Sequence, residues 1–280
     1  MAVLYRWYGE EVTHWSDCIL SSEKETSRKE EKRVQLEYEM KKNGMYILRQ
    51  SDFEDIATMV LKEYMPNVLL APQPLDVEEL AKESFYLDVA YAKLSPAGEV
   101  LGLIAFDETE FRPYGAAVNE KMFLQPGQVL LDGSLVDGKL SARRRFTLAH
   151  EVSHWICHRA YHSEDKRGYE LRTNRSVIAC RSENIEQNRR RQQRYTDSYW
   201  EEWQADHLAA AMLMPKAMFV EVCRDVFREN GVLKGYLAVG VDDYVAHRII
   251  RAVAKKFAVS FRAAQIRMLR LGYINEKALG

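Results

Sequence analysis

The alternation of apolar and polar positions divides this chain into a charged leader, a strand-rich middle and a helical remainder. Residues 21–43 (SSEKETSRKEEKRVQLEYEMKKN) are dense in charges of both signs and poor in large apolar groups. That pattern predicts an exposed helix or a mobile leader, broken at Asn43-Gly44. Ahead of it, Trp7, Tyr8 and Trp15 suit either packing on the body or a partner-binding tail. After Ser51, the residues Phe53, Ile56, Ala57, Val60, Leu61 and Tyr64 recur at helical spacing. Ser51 and Glu54 stand at capping-box spacing before that stripe, and Pro66 ends it. A second short helix is expected after Pro74. Three runs then read as strands: 85–94 (FYLDVAYAKL), 99–107 (EVLGLIAFD) and 127–133 (GQVLLDG), with Ser95 to Gly98 as a turn between the first two. They predict a small, mainly antiparallel sheet.

From Ser141 the period becomes helical. Ser141 is the expected N-cap of a helix reaching about residue 160. Residues 161–196 are polar and arginine-rich and read as a loop with one short helix at most. Further helices are predicted over 197–214, where Pro215 stops the pattern, and around 216–229 and 242–257. A last one covers FRAAQIRMLRL, capped by Ser260 and ended by Gly272. The expected organisation is a leader over 1–45, a core domain over 46–215 with an insert at 161–196, and a helical segment over 216–280 packed on that core.

Composition narrows the class. A chain of 280 residues, 47% of them hydrophobic, can build one large domain or two small ones. A net charge of −1 creates no field that would favour nucleic acid or a membrane surface. No apolar run approaches the roughly 18 residues of a membrane span. The N-terminus lacks the basic-then-apolar order of a signal peptide. Cys18, Cys157, Cys180 and Cys223 are scattered, which suits a reducing cytosol and argues against both a disulfide framework and a cysteine zinc site. A cytoplasmic location is therefore expected.

Candidate chemistry concentrates in RRFTLAHEVSHWICH (144–158). On a helix, His150 and His154 lie one turn apart on nearly the same face. Two imidazoles so placed can share one zinc ion at about 2.0–2.1 Å. Glu151, about 100° further round, is placed to act as a base toward water at that ion. The plainer alternative is an ordinary helix whose histidines are core or surface residues. His158 lies about 12 Å along the axis from His150 and reads as a structural or surface residue rather than a ligand. Downstream, in EEWQADHLAAAMLMP (201–215), Glu202 and Asp206 share a face. Glu202 can supply a third ligand, and Asp206 can accept the outward N–H of a ligating histidine. The alternative for this pair is a solvated acidic edge. Ala205, Leu208, Ala209, Met212 and Leu213 form the apolar side of the same helix and are expected to bury against the first. Two nitrogens and one carboxylate leave a coordination position for water, the composition of a catalytic zinc site.

Three blocks, RRRFTLAHEVSHWICH (143–158), EEWQADHLAAAMLMP (201–215) and AKKFAVSFRAAQIRMLRLGYI (254–274), together resemble the ImmA/IrrE family of bacterial zinc metallopeptidases. The likeness spans roughly residues 52–275. Ser153 stands where those proteins carry glycine and Asp206 where they carry asparagine. The leader and the insert fall outside their common core. The resemblance implies Zn2+ held by His150, His154 and Glu202, with Glu151 as catalytic base. It also implies cleavage, or triggered loss, of helix-turn-helix repressors encoded nearby, often on mobile elements or in stress operons. The fold expected is α+β, a small sheet packed on a helical, zincin-like core with C-terminal helices.

Other features remain open at the level of sequence. His207, Tyr199 and arginines of the insert are candidate oxyanion donors. The strand QVLLD could offer an edge to an extended substrate, with Val129 and Leu131 on one face and Leu130 on the other. The C-terminal block also reads as a helix-turn-helix bearing Arg262, Arg267 and Arg270, which would make the chain a DNA-binding regulator. A packing stripe of Ala263, Ile266, Leu269 and Leu271 with solvated arginines is the simpler account, so nucleic acid is not the expected partner. A metal-binding interaction protein without proteolysis of its own is a further alternative.

Overall fold

A computed structural model describes residues 5–8, 11–14, 34, 36–117, 121–162, 177–181, 196–238 and 243–275, with backbone alone for 5–8, 11–14, 177, 179–181, 238 and 243. Among these residues the fold is α+β, with seven helices and a mixed sheet. The chain divides into two compact units, Met1–Arg49 with Val77–Asp206, and Gln50–Asp76 with His207–Gly280. The charged stretch 21–33 and most of the insert lie outside the described residues.

The first unit contains strands β1 (Tyr5–Tyr8), β2 (Glu11–His14), β3 (Asp88–Ala92), β4 (Val100–Ala105), β5 (Thr109–Phe111), β6 (Met122–Leu124), β7 (Gln128–Asp132) and β8 (Val177–Arg181). The main sheet has the order β2-β1-β3-β7-β4-β8. Its β3–β7 pair is parallel and the other pairings are antiparallel. The three predicted strands form, but β3 and β4 are not neighbours, because β7 inserts between them. Parallel pairing needs a long connection, which residues 93–127 supply. β3, β4 and β7 are buried along almost their whole length, as strands covered on both faces are. QVLLD is therefore paired on both sides and offers no free edge to a substrate. The insert, expected to be loop with at most a short helix, instead contributes β8, a short apolar run that pairs with β4.

Side-chain alternation sorts the two faces of the sheet. Ala90, Ala92, Leu103, Ala105 and Leu130 form one face, closed by Leu124, Phe111 and Met122 of the β5–β6 ribbon. Gly102, Ile104, Val129 and Leu131 take the other face, on which helix α3 packs. Helix α2 (Val77–Glu79) continues as a π turn over Leu80–Ser84 before β3. Helix α3 spans Ser141–His162. Ser141 is not its cap, because it already has helical angles of φ −52° and ψ −43°. Asp137 caps the 3-10 turn that leads into α3, its carboxylate accepting from Lys139 N at 2.9 Å.

Helix α4 (Asp197–Leu213) supplies residues to both units. The second unit adds α1 (Asp52–Tyr64), α5 (Lys216–Glu229), α6 (Asp243–Phe257), α7 (Phe261–Arg270) and the parallel pair β9 (Leu237–Ala238) and β10 (Ile274–Asn275). Ser260 caps α7 as expected, accepting from Ala263 N at 3.1 Å, and Gly272 ends it at φ +81°. The expected stripe on α7 is displaced, however. Ala263, Ile266, Leu269 and Leu271 are half-buried, and the buried face is Ala264, Arg267 and Met268. Arg267 is not solvated. It forks onto Glu54 of α1 at 2.5 and 2.7 Å and donates to Met214 O at 2.9 Å. This pair also explains the failed capping box. Ser51 has helical angles and makes no side-chain cap, and the Glu54 carboxylate faces Arg267 instead. An arginine held in this way is not free to meet DNA phosphate.

Removing one partner of a buried, forked pair leaves the other charge unmatched. Arg267→Ala is expected to destabilise the protein by about 2–4 kcal/mol, less than a fully buried pair because Glu54 keeps some exposure. Arg262→Ala, at an exposed position of the same helix, should stay within about 0.5 kcal/mol of the parent. Urea denaturation midpoints of the two variants check the contrast.

Candidate metal centre

From Thr147 to His158, helix α3 is buried on every side, so its polar side chains must find partners within the protein. Thr147 Oγ1 donates to Arg143 O at 3.0 Å and Ser153 Oγ to Ala149 O at 2.7 Å, each satisfied by its own helix. Ser153 thus has no part in the arrangement that follows.

The one-turn spacing of His150 and His154 brings their Nε2 atoms to 2.9 Å. Glu202 reaches across from α4, its Oε2 3.6 Å from His150 Nε2 and its Oε1 3.6 Å from His154 Nε2. All three side chains are buried, and one ligand atom from each lies within 4.8 Å of the others. Four donors around an ion at about 2.0–2.1 Å stand about 3.3 Å apart in a tetrahedron. The separations of 2.9, 3.6 and 3.6 Å straddle that value, so the group could hold a metal ion.

Electrostatics favours a charged carboxylate on Glu202 and a neutral ring on His154. Burial alone would raise the pKa of Glu202, but the facing His150 and His154 rings outweigh it and hold the carboxyl well below the usual range. Burial, reinforced by the charge of His150, lowers the pKa of His154. Glu151 is in a different situation. Its carboxyl packs on Gly102 of β4, and neither oxygen has a hydrogen-bond partner among the described residues. Burial, only partly relieved by His150 and reinforced by Glu202, pushes its pKa up to about 8. An unmatched buried carboxyl is costly to a fold. Such groups concentrate where chemistry needs them, and a cation at the adjoining donor set would favour the charged form here.

The other predicted residues fall into place around the trio. Asp206 Oδ1 lies 3.0 Å from His150 Nδ1. His158 lies outside the donor group and is fully buried. Its Nδ1 is 2.9 Å from His154 Nδ1 and its Nε2 is 3.1 Å from Gln204 Oε1. One turn further, His162 pairs with Glu201 and stacks on Phe106. Of the candidate oxyanion donors, His207 packs its ring on Phe53 and Tyr199 packs on Trp200, and neither joins the donor group. The arginines of the 182–195 stretch lie outside the described residues.

Protein-family models give no match to this sequence, and curated proteins give none either. The site is therefore read from its own geometry.

Three contributors escaped the sequence reading: Gly102, Gln204 and the His162–Glu201 pair. A lone glycine inside a strand marks close backbone approach, so Gly102 did carry a signal. So did the histidines, which recur every four residues at 150, 154, 158 and 162. Gln204 carried none, since an amide between acidic positions on a helix reads as surface.

A Cβ on Gly102 would stand 2.7 Å from Glu151 Oε1 and 2.8 Å from Thr147 Cγ2. Gly102→Ala is therefore expected to destabilise by about 1–3 kcal/mol through overpacking. Gly138→Ala, where a Cβ meets nothing within 4 Å, should change stability by no more than about 0.5 kcal/mol. Thermal denaturation of both variants measures the difference.

Proposed function

We propose that this chain is a zinc-dependent endopeptidase acting in the cytoplasm on a helix-turn-helix repressor or a similar regulatory protein. The observation that carries this reading is the meeting of His150, His154 and Glu202 beside the unpartnered carboxyl of Glu151. The similarity of blocks 143–158, 201–215 and 254–274 to the ImmA/IrrE family supports the substrate class. Two imidazoles and one carboxylate form a donor set suited to zinc with a position left open. Zinc bound there would supply a Lewis acid that polarises a peptide carbonyl and activates water.

The protein's own groups do the rest. Glu151 takes the proton of the attacking water and passes it to the leaving amine. Burial raises the pKa of this carboxyl in the metal-free protein, and a cation at the donor set would lower it toward the charged form that a base requires. Asp206 favours the proton on His150 Nδ1, which leaves Nε2 as the ligating atom. Gly102 gives the Glu151 carboxyl room against the sheet.

The purified protein is expected to bind one equivalent of zinc and to cleave the repressor encoded beside its own gene, with cleavage abolished by a chelator. Glu151→Gln should keep the zinc and slow cleavage by about 100-fold or more. His154→Ala and Glu202→Ala should weaken zinc binding beyond the roughly 10–100-fold that loss of an outer partner gives. Metal titration and a cleavage time course measure both effects. Undiminished zinc affinity in Glu202→Ala, or full cleavage by Glu151→Gln, overturns the assignment of that residue.

A further inference from the structure

We infer that a hydrogen-bonded relay from the Tyr46 carbonyl through Gln204 and His158 fixes the tautomer of His154, so that its Nε2 lone pair faces the metal position. His158 and Gln204 are positioning residues in this scheme. The inference rests on the metal site proposed above, and it deepens that reading by assigning a role to two residues outside the ligand set.

The direction of every bond follows from the first. A backbone carbonyl can only accept, so the Gln204 atom 2.8 Å from Tyr46 O is the amide nitrogen. The other amide atom is then Oε1, an acceptor, and it faces His158 Nε2 at 3.1 Å. His158 Nε2 must carry a hydrogen to satisfy it. His158 is fully buried, and a ring with its one hydrogen on Nε2 has a lone pair on Nδ1. That lone pair lies 2.9 Å from His154 Nδ1, which must therefore donate. The remaining nitrogen, His154 Nε2, keeps its lone pair and points at His150 Nε2 and Glu202.

A free histidine ring favours its proton on Nε2, the arrangement that would block coordination at that atom. The relay reverses this preference before any ion arrives. Ligating histidines are commonly oriented by a carboxylate or a carbonyl. At His150 the atom facing Nδ1 is a carboxylate oxygen, Asp206 Oδ1 at 3.0 Å. His154 is served by a second imidazole, a neutral acceptor whose own orientation is fixed by an amide anchored on the main chain.

Long-range proton–nitrogen spectra of the 15N-labelled, metal-free protein should show His154 with its proton on Nδ1 and His158 with its proton on Nε2. His158→Phe keeps a ring and removes both bonds. It should return His154 to the Nε2-protonated form and lower zinc affinity, measured by chelator competition, by about 10–100-fold. His158→Asn restores an acceptor near the Nδ1 position and should recover the tautomer and most of the affinity. Gln204→Leu, which leaves the His158 ring in place, should act in the same direction as His158→Phe and serves if that variant does not fold. The relay is overturned by an Nε2 proton on His154 in the metal-free parent, or by unchanged zinc affinity in both His158→Phe and Gln204→Leu. A parent protein that takes up no zinc overturns the metal site instead, while the tautomer spectra still decide the relay.

Discussion

Two imidazole nitrogens 2.9 Å apart, each with a carboxylate oxygen 3.6 Å away, bring electron-rich atoms to one point inside the protein. Lone pairs of like polarity repel at that range unless a hydrogen or a cation lies among them. The surrounding architecture follows from this constraint. Helix α3 buries six polar side chains, Thr147, His150, Glu151, Ser153, His154 and His158, in a single stretch. Such burial is tolerable only when nearly every group is matched. The hydroxyls are matched by α3 itself. The histidines are matched from α4, where Glu201, Glu202, Gln204 and Asp206 meet His162, the His150–His154 pair, His158 and His150. Polar positions that look like a solvated edge on α4 are thus the complement of a histidine ladder on α3, and neither helix makes physical sense alone.

The extent to which this was legible depended on the range of the interaction. Helix spans and the pairing of His150 with His154 follow from a local period, and so does the placing of Leu130 opposite to Val129 and Leu131. Which strand lies beside which does not. Alternation assigns a residue to a face, but the insertion of β7 between β3 and β4 depends on a parallel pairing closed across residues 93–127. The Ser51 cap failed for a similar reason. Its partner Glu54 is engaged by Arg267, 213 positions away, and no local pattern announces that a charged residue on α7 will be buried. β8 was hidden because a four-residue apolar run, Val177 to Cys180, is easily lost inside a basic stretch.

Gly102 and Glu151 show how a violation of local rules can mark function. Glycine weakens a strand interior, and an unmatched carboxyl weakens a core. The two occur at the same place, with the carboxyl packed on the glycine. Natural folds break such rules at sites and compensate for them elsewhere. The compensation here is the largely apolar, covered sheet formed by β3, β7 and β4, whose burial offsets the cost of holding a poorly solvated acid against it.

The unequal partners of the two histidines have an electrostatic consequence. Glu202 places a carboxylate at the position a divalent ion would take, and Asp206 places a second behind His150. A carboxylate in place of His158 would add a third behind His154. Added negative charge raises the pKa of a neighbouring acid, and Glu151 already stands at about 8 through burial with Glu202 nearby. An imidazole gives His154 the acceptor it needs without that charge. Another carboxylate, Glu201, is held one turn further along α3 by His162. In the proposed metal site, a neutral partner on His154 and an anionic partner on His150 would orient both rings and leave Glu151 able to ionise beside a cation, the state a general base requires.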